Sequence, residues 1–432
     1  MLALLVAFGV GSILLPPLTR VLGTRVFLVA ALVPTAAFVY TLLQAPVVLA
    51  SGVVSESVEW IPELGFALGV RMDTLSWVMA LIVSGVGALV MIYCVRYFGD
   101  DEESLGRFAG ILLAFAGSMF GLVVADDVFL LFVLWEATSV FSYLLIGHRT
   151  SSKASRGAAL QALLVTTFGG LVMLVGLVGL VIATGTSSLA QIIAAAPEGG
   201  LVIASTMLVL VGALSKSAIF PFHFWLPAAM AAPTPVSGYL HAAAMVKAGI
   251  YLIARLAPGF AELPGWRETL IILGVVTMLL GGLTALRQND LKLVLAYGTV
   301  SQLGFLALMV GFGTRDAALA GLALVTAHAL YKATLFLVVG IIDHRTGTRD
   351  LRRLSGLGRE MPVVATATAL ALASMVGLPP LLGFVAKEAA LTALIDGALT
   401  EFQAGRWTEA RALFERAHAS FPNARTQRGI GM

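Results

Sequence analysis

Long apolar stretches recur along almost the whole 432-residue chain and are separated by short loops that hold most of the charge. A helix needs about 20 apolar residues to cross the hydrocarbon layer of a bilayer. Twelve stretches fit such helices, with predicted bounds of 2 to 19, 26 to 50, 73 to 95, 107 to 124, 128 to 147, 158 to 184, 202 to 230, 235 to 256, 268 to 286, 291 to 312, 317 to 342 and 362 to 398. We therefore predict an all-α polytopic membrane protein with about twelve transmembrane helices.

The composition agrees, because 59% of the residues are hydrophobic and only 12% are charged, a balance beyond that of a soluble core. Basic residues lie in loops or singly within apolar helices, which argues against nucleic acid as a partner. The N-terminus lacks the positive region of a signal peptide, so we predict a retained first helix. The single cysteine, Cys94, excludes an intrachain disulfide and is interpreted as an apolar filler.

The loop charges alternate along the chain, and the positive-inside rule turns this into a topology. The rule puts the basic loops on the cytoplasmic side: Arg20 to Arg25, His148 to Arg156, Arg287 to Lys292 and Arg345 to Arg359. It puts the acidic loop with Glu56, Glu59 and Glu63 outside, together with the loop around Pro197. We therefore predict a multi-pass protein of the cell membrane with its N-terminus outside.

Two of the predicted spans contain helix breaks. The seventh span meets Pro221, with Pro227, Pro233 and Pro235 following, and the twelfth contains Pro379, Pro380 and Gly383. Backbone groups freed by a break inside a membrane must find partners within the protein, so the breaks predict a polar interior. Lys216 precedes one break and Lys387 follows the other. Five spans separate them, and since an odd number reverses direction, the two units are predicted to be inverted repeats.

Glu136 and Lys216 form the first candidate pair for proton transfer. Glu136 lies near the middle of the fifth span, where an isolated carboxyl group takes up a proton more readily than in water. The break at Pro221 could supply carbonyls and water to the Lys216 ammonium. A lysine that pairs with a carboxylate in one state and not in another can take up a proton in the first and release it in the second. The alternatives are a fixed structural ion pair for Glu136 and a Lys216 side chain that snorkels to the surface.

Further candidates follow along the chain. His241 and Lys247 are six residues apart, nearly opposite on a regular helix; Lys247 is the better relay candidate, and His241 is either a relay or a structural group. His328 and Lys332 share one helix face at i and i+4, which favours a relay over a metal site. Lys387 extends this set beyond the second break.

Three positions at span ends have simpler interpretations. Lys292 is either an interfacial anchor or a relay member. Asp73 is predicted to cap the third span. Asp126 and Asp127 are expected to lie in an external turn and to need only solvation.

Four motifs carry a family resemblance: PFHFWLPAAMAAPTPVSGYLHAAAMVKAGIYLIARL, NDLKLVLAYGTVSQLG, HALYKATLFLVVG and LPPLLGFVAKE. They resemble the antiporter-like subunits shared by respiratory complex I and the Mrp cation/proton antiporters. Within that group, MVKAG and GIIDHRTGTRDLRRL look most like the A-type subunit of the Mrp antiporters. The resemblance covers residues 1 to about 399.

The resemblance implies a core of fourteen helices with two inverted five-helix repeats. It also implies a hydrophilic axis of one glutamate and three lysines, which match Glu136, Lys216, Lys247 and Lys387, with His241, His328 and Lys332 on the same axis. Such a protein works with several smaller subunits of a hetero-oligomeric complex, in contact with lipid, and exchanges external protons for internal Na⁺ or another monovalent cation. No cofactor or metal is implied.

This chain departs from that pattern near its end. We divide it into helices 1 to 3 (1–106), a first repeat (107–256), a second repeat that is incomplete (268–399) and an atypical tail (400–432). The tail has helical spacing of apolar residues at Trp407, Ala410, Leu413, Phe414 and Ala417 and looks like one pair of a helical repeat. The expectation is a truncated or frameshifted coding sequence, or a chain whose second half is open.

Three functional hypotheses remain open. The first is a proton-translocating subunit of a cation/proton antiporter, a secondary transporter rather than an enzyme. The second is a proton-pumping membrane subunit of an NADH-quinone oxidoreductase-like complex, whose redox chemistry would come from partners because the chain has no dinucleotide fingerprint or iron-sulfur cysteine cluster. The third is a scaffold that does not transport.

Overall fold

A computed structural model describes residues 1–61, 66–99, 104–403, 407–420 and 429–430. The first nine helices are α1 (Leu2–Leu22), α2 (Val26–Leu43), α3 (Ala45–Leu49), α4 (Thr74–Tyr97), α5 (Leu105–Val124), α6 (Val128–Ile146), α7 (Lys153–Thr184), α8 (Leu189–Ala195) and α9 (Gly200–Lys216). The others are α10 (Trp225–Ala228), α11 (Thr234–Val236), α12 (Met245–Phe260), α13 (Trp266–Ala285), α14 (Leu291–Gly311), α15 (Arg315–Thr346), α16 (Leu357–Glu360), α17 (Pro362–Val376), α18 (Leu382–Gln403) and α19 (Trp407–Ser420).

Nine helical stretches in the described part of the chain are long and apolar enough to cross a membrane. The first, Leu2–Leu43, holds both α1 and α2, so the nine stretches coincide with ten of the predicted spans. Each of the other two predicted spans contains one shorter apolar helix, Gly200–Lys216 or Pro362–Val376, and the second also contains most of α18. These are the two spans predicted to be broken, because proline removes a backbone donor and interrupts the helix.

The prediction of an all-α chain is wrong at one place, where β1 (Val54–Ile61) and β2 (Phe66–Met72) form an antiparallel hairpin. Val70 of this hairpin bridges to Ala125, and Asp127 bridges to Ser188. The hairpin, the turn before α6 and the loop after α7 therefore share one end of the bundle, as the loop charges predict.

The two aspartates of that turn do more than the solvation predicted for them. Asp127 is buried and caps α6 by accepting hydrogen bonds from the backbone nitrogens of Phe129 and Leu130, both at 2.9 Å. Asp126 accepts a hydrogen bond of 2.7 Å from the Ser188 hydroxyl. Asp127 thus satisfies backbone donors that the start of α6 leaves free, and Asp126 ties the turn to the loop before α8.

The first break occupies the segment between Lys216 and Met245. After α9 the chain turns at Pro221, passes through short helical pieces and forms a π-helical turn over Ser237–His241. At Ala244 the backbone leaves the helical region entirely, with φ −121° and ψ −90°. Residues 232–244, which include the π turn, are all buried, so the free backbone groups of this part face protein, as a membrane break requires.

The second break separates α17 from α18 at Pro379 and Pro380. Beyond α18, the tail forms α19, in which Ala410, Leu413 and Phe414 are buried as predicted. The side chains of the other two predicted positions, Trp407 and Ala417, lie outside the described part of the chain. The predicted tail also includes residues 404–406, 421–428 and 431–432, which lie outside the described residues.

Close contact between α9 and α12 holds the two ends of the first break together. A Cβ atom added to Gly249 would overlap the backbone oxygen of Ala213. The Ser217 hydroxyl donates a 2.8 Å hydrogen bond to the Val246 carbonyl, so the residues next to Lys216 and Lys247 are joined directly. Small residues allow such backbone approach between membrane helices.

Replacing Gly249 with alanine is expected to destabilise the protein by about 1–3 kcal/mol, because the Ala213 backbone cannot move aside without shifting a helix. The matched control is Gly157→Ala, since a Cβ there meets nothing within 4 Å. Thermal unfolding of the purified protein in detergent would measure both variants. Equal unfolding midpoints would contradict the tight helix contact.

Candidate functional site

Four lysines lie almost completely inside the helix bundle. Lys216 and Lys247 are 0% exposed, and Lys292 and Lys332 are 2% exposed. Burying a charged group is costly unless polar atoms surround it, so their partners define the chemistry of the site. No carboxylate lies within ion-pair distance of any of the four in the parts of the chain with assigned positions.

Lys216 projects from the end of α9 onto α6. Its Nζ donates to the Trp135 carbonyl at 2.5 Å, to the Thr138 hydroxyl at 2.7 Å and to the Ser139 hydroxyl at 3.1 Å. These use all three donors of an ammonium group. The prediction that the break at Pro221 supplies the partners of Lys216 is therefore wrong, because they come from the neighbouring helix α6. Lys216 Nζ also lies over the Trp135 ring, 4.5 Å from its centroid.

Glu136 follows Trp135 on α6, so its backbone lies beside the Lys216 ammonium. Its Oε1 is buried with no hydrogen-bond partner among the described residues. The same oxygen packs against Gly170 of α7, where an added Cβ would overlap it. No ion pair joins Glu136 to Lys216 in the described part of the chain. Their pairing in proton transfer stays a prediction.

Lys247 and His328 make the most direct contact between candidates, because Lys247 Nζ lies 2.9 Å from His328 Nδ1. Lys247 also donates to the Ala242 carbonyl, which the distorted backbone before α12 leaves free. The Nε2 of His328 is buried without a partner in the described part of the protein. A lysine can donate to a neutral imidazole nitrogen, so this contact is a hydrogen bond along which a proton can pass.

The π-helical turn changes the expected relation between His241 and Lys247. The two would face opposite ways on a regular helix, but here both are buried within one distorted segment. Neither ring nitrogen of His241 has a hydrogen-bond partner among described residues, and its ring lies 5.9 Å from that of Trp225. His241 is therefore a buried histidine whose two ring nitrogens have no hydrogen-bond partner among the described residues.

Lys332 and Lys292 both bind backbone carbonyls. Lys332 Nζ donates to the Leu295 carbonyl of α14 at 3.0 Å, and an added Cβ on Gly298 would lie 2.9 Å from it. Lys292 Nζ donates to the carbonyls of Met230 and Ala232, at 3.3 and 2.8 Å, within the first break. Lys292 is thus buried in the interior, which argues against the interfacial anchor.

Lys387 binds the second break in the same manner. Its Nζ donates to the Met375 carbonyl at 2.7 Å and to the Val376 carbonyl at 3.1 Å, at the end of α17. Lys247, Lys292 and Lys387 therefore all use carbonyls that broken helices release. The breaks thus hold three of these ammonium groups, whereas Lys216 and Lys332 bind the unbroken helices α6 and α14.

The sequence interpretation missed one polar cluster. Asp73 caps α4 through Ser76, as predicted, with an N···O distance of 3.1 Å. Asp73 also forms a bidentate ion pair with Arg255: Arg255 Nη2 lies 2.9 Å from Asp73 Oδ1, and Arg255 Nη1 contacts Asp73 Oδ2. Arg255 further donates to Ser76 and, from Nε, to Tyr251. An arginine at a span end resembles an ordinary interfacial anchor, so only the fold reveals its partner.

Comparison with known proteins identifies the class that this fold and these buried lysines define. A family model described as "NADH:quinone oxidoreductase/Mrp antiporter, TM" matches residues 125–403. A second, for the N-terminus of "NADH-Ubiquinone oxidoreductase (complex I), chain 5", matches residues 60–109. Because the first match covers more than half of the chain, the chain belongs to the NADH:quinone oxidoreductase/Mrp antiporter family of transmembrane proteins.

Within this family, the predicted similarity to the A-type subunit of the Mrp antiporters is confirmed. The chain is 45% identical over 379 residues to the A-type subunit of the Na⁺/H⁺ antiporter of Alkalihalophilus pseudofirmus, covering 84% of this chain and 47% of that protein. A chain of the Mrp complex from a Dietzia species is 40% identical with a TM-score of 0.86, and the match covers 100% of this chain and 49% of that one.

A chain of respiratory complex I from Thermus thermophilus has the same fold, with 25% identity and a TM-score of 0.79. That match covers 99% of this chain and 88% of that one. By contrast, the chain spans about half the length of the antiporter proteins that it matches.

Proposed function

We propose that this chain is the proton-translocating part of a multisubunit Mrp-type antiporter that exchanges protons for Na⁺ or another monovalent cation across the cell membrane. The observation that carries the proposal is a set of buried lysines held by neutral partners, among which Lys247 and His328 share a 2.9 Å contact. A buried ammonium without a fixed counter-ion can give up its proton, which a permanently paired one resists.

In this proposal Glu136 and Lys216 form the first station, Lys247, His328 and Lys332 form the second, and Lys387 forms the third. Within the second station, His328 contacts Lys247 directly, and His328 and Lys332 lie on one face of α15 at i and i+4. His241 and Lys292 are candidates for a branch toward the surface. The break prolines Pro221, Pro379 and Pro380 shape the backbone around these stations.

The proposed domain organisation follows the two breaks. Residues 107–256 and 268–399 are proposed as inverted repeats, after N-terminal helices in 1–106 and before the tail at 400–432. The matching placement of Lys216 and Lys387 beside the breaks supports this arrangement. The N-terminus is proposed to lie outside, because the basic loops then face the cytoplasm.

The antiporter is favoured over a quinone-linked proton pump because the identity to the antiporter proteins is 40–45%, against 25% for the complex I chain. Smaller antiporter subunits are the proposed partners, as in the Mrp complex that this chain resembles.

The test is Lys216→Ala and Glu136→Ala, each introduced into the otherwise intact antiporter complex. Both are expected to abolish Na⁺-dependent proton flux in everted membrane vesicles while the complex still assembles. Lys153→Ala is the matched control, since Lys153 is exposed at the start of α7 and should retain full flux. Unchanged proton flux in both site variants would refute the proposal. If the unsubstituted complex assembles normally but shows no proton flux, the scaffold hypothesis is favoured instead.

A further inference from the structure

A cavity of about 320 Å³ lies between α4, α12, α14 and α15, and none of the buried lysines lines it. Its charged residues lie where these helices begin or end: Asp73 just before α4, Arg255 near the end of α12 and Arg315 at the start of α15. Asp73 directly follows β2, so this is the hairpin end of the bundle. The volume is within the usual range of ligand sites.

Most of the remaining lining is apolar and follows the helices toward the middle of the membrane. Leu319 is 52% exposed at the mouth of the cavity, whereas Met79, Ile250 and Val325 are at most 2% exposed. Val325 lies ten residues beyond Arg315 on α15, which corresponds to about 15 Å along a helix. The cavity therefore has a charged end near the membrane surface and an apolar part that reaches inward, the same order of polarity as a lipid molecule.

Arg315 is a cation of this lining that a ligand can reach. Arg255 is already engaged, because it donates to Asp73, Ser76 and Tyr251. Arg315 is exposed, and its side chain has no hydrogen bond or ion pair in the described part of the chain. A guanidinium presents its donors in a planar fork that fits a phosphate group. The charged end thus offers a phosphate contact beside an apolar cavity.

The charge balance at this end favours an anionic lipid over a zwitterionic one. The lining holds two arginines and one aspartate, and Arg71 adds a cation 3.9 Å from that aspartate. Asp316 is exposed next to Arg315 but does not line the cavity. A zwitterionic headgroup would bring an ammonium among these cations, whereas an anionic headgroup would not. Basic pockets between transmembrane helices are known to bind such headgroups, and free phosphate would leave the apolar part unfilled.

We propose that this cavity binds an anionic phospholipid, with its phosphate on Arg315 and one acyl chain in the apolar part between α4, α12 and α15. The chain would end near the contact between Lys247 and His328. Ile250 is three residues, or about one helical turn, from Lys247, and Val325 is equally far from His328. Bound lipid would therefore fill the space between the two helices that make this contact. The inference goes beyond the proposed function and does not depend on proton transfer.

The test uses phosphatidylglycerol with a photoreactive diazirine in one acyl chain, mixed into phosphatidylcholine vesicles that hold the complete antiporter complex. Illumination is expected to attach the probe to the cavity lining on α4, α12 and α15, as located by mass spectrometry of the peptides. Arg315→Gln should lower this labelling roughly tenfold, because it removes a charge-assisted contact. Ala318→Phe should lower it to a similar degree, because Ala318 lines the cavity and the larger side chain would fill it.

Two control variants separate the cavity from the rest of the surface. Arg315 and Ala318 are both exposed, so their variants are expected to fold and assemble. Arg345→Gln is the control for charge, since Arg345 is exposed in the last turn of the same helix and does not line the cavity. Ala36→Phe is the control for size, since Ala36 is exposed on α2 and does not line the cavity. Both controls should keep wild-type labelling.

The labelling pattern can overturn the proposal in three ways. Wild-type labelling in Arg315→Gln would refute the phosphate contact. Wild-type labelling in Ala318→Phe would refute the placement of the acyl chain. Adducts confined to helices outside the lining would refute the site as a whole.

Unlabelled competitors test the charge of the lipid and the source of the phosphate. Phosphatidylglycerol should suppress labelling of the lining, whereas phosphatidylethanolamine at the same concentration should not. Equal suppression by both lipids would contradict an anionic site. Suppression by inorganic phosphate would assign the charged end to free phosphate and would overturn the lipid proposal.

Discussion

Replacing Arg255 with leucine is expected to destabilise the protein by about 3 kcal/mol, at the lower end of the cost of leaving one member of a buried ion pair alone. The Asp73 side chain is 24% exposed and that of Arg255 15%, so the pair is screened only in part. The substitution also removes the hydrogen bond of 2.6 Å from Arg255 to Ser76. Thermal unfolding of the purified complex would measure the loss.

Two controls show whether the loss comes from the orphaned carboxylate. Arg352→Leu breaks an exposed pair with Asp350, in which the arginine side chain is 70% exposed, and should leave the unfolding midpoint nearly unchanged because exposed ion pairs contribute little. The double variant Asp73→Ser with Arg255→Leu keeps a helix cap but removes both charges. It should be more stable than Arg255→Leu alone, and a double variant that is less stable would contradict the explanation.

The same pair gives the stability a pH dependence. Burial alone would raise the pKa of the Asp73 carboxyl, but hydrogen bonds and charge from Arg255, with a smaller effect of Arg71, hold that pKa below its usual value. A lowered folded-state pKa means that the stabilisation is complete above the unfolded pKa of about 3.9 and is lost as pH falls through the folded value. Asp73→Asn should remove this acid-side loss.

The helices were predictable from the sequence because a membrane imposes a simple rule on them. Runs of about 20 apolar residues are required for crossing, and prolines mark where the crossing is interrupted, as at Pro221 and Pro379. The buried lysines were also predictable, because a lysine within an apolar run is costly and needs an explanation.

The hairpin and the partners of the lysines were not predictable in the same way. The strand Val54–Ile61 is short and holds two glutamates and two serines, so beside long apolar spans it resembles a polar loop. Lys216 binds residues 77–81 positions earlier in the chain, and Arg255 binds an aspartate 182 positions away. Such contacts depend on how helices pack, which hydropathy does not encode.

The geometry between His241 and Lys247 illustrates the same limit. A periodicity of 3.6 residues per turn places them on opposite faces, and the nearby prolines mark the start of the segment rather than the distortion within it. In the structure the chain between them is not a regular helix, since a π-helical turn spans Ser237–His241 and Ala244 is non-helical, and both side chains are buried. π-helical turns of this kind often occur at functional sites.

Lys247→Met is expected to reduce Na⁺-dependent proton flux about 100-fold, the lower range of what a positioned proton donor contributes. Lys247 contacts His328 directly, so its loss interrupts the second station while Glu136 and Lys216 stay intact. Flux in everted vesicles measures the effect, and Lys153→Met at an exposed position is the control.

Lys247→Arg decides whether this position needs a charge or a proton that can leave. Arginine keeps a positive charge and hydrogen bonds but stays protonated in proteins, so a relay residue should fail on this substitution as well, even in a complex that assembles normally. If Lys247→Arg supports wild-type flux, Lys247 supplies only a fixed charge to the bundle. The proton would then have to pass by another route, through His241 or His328 without the lysine between them.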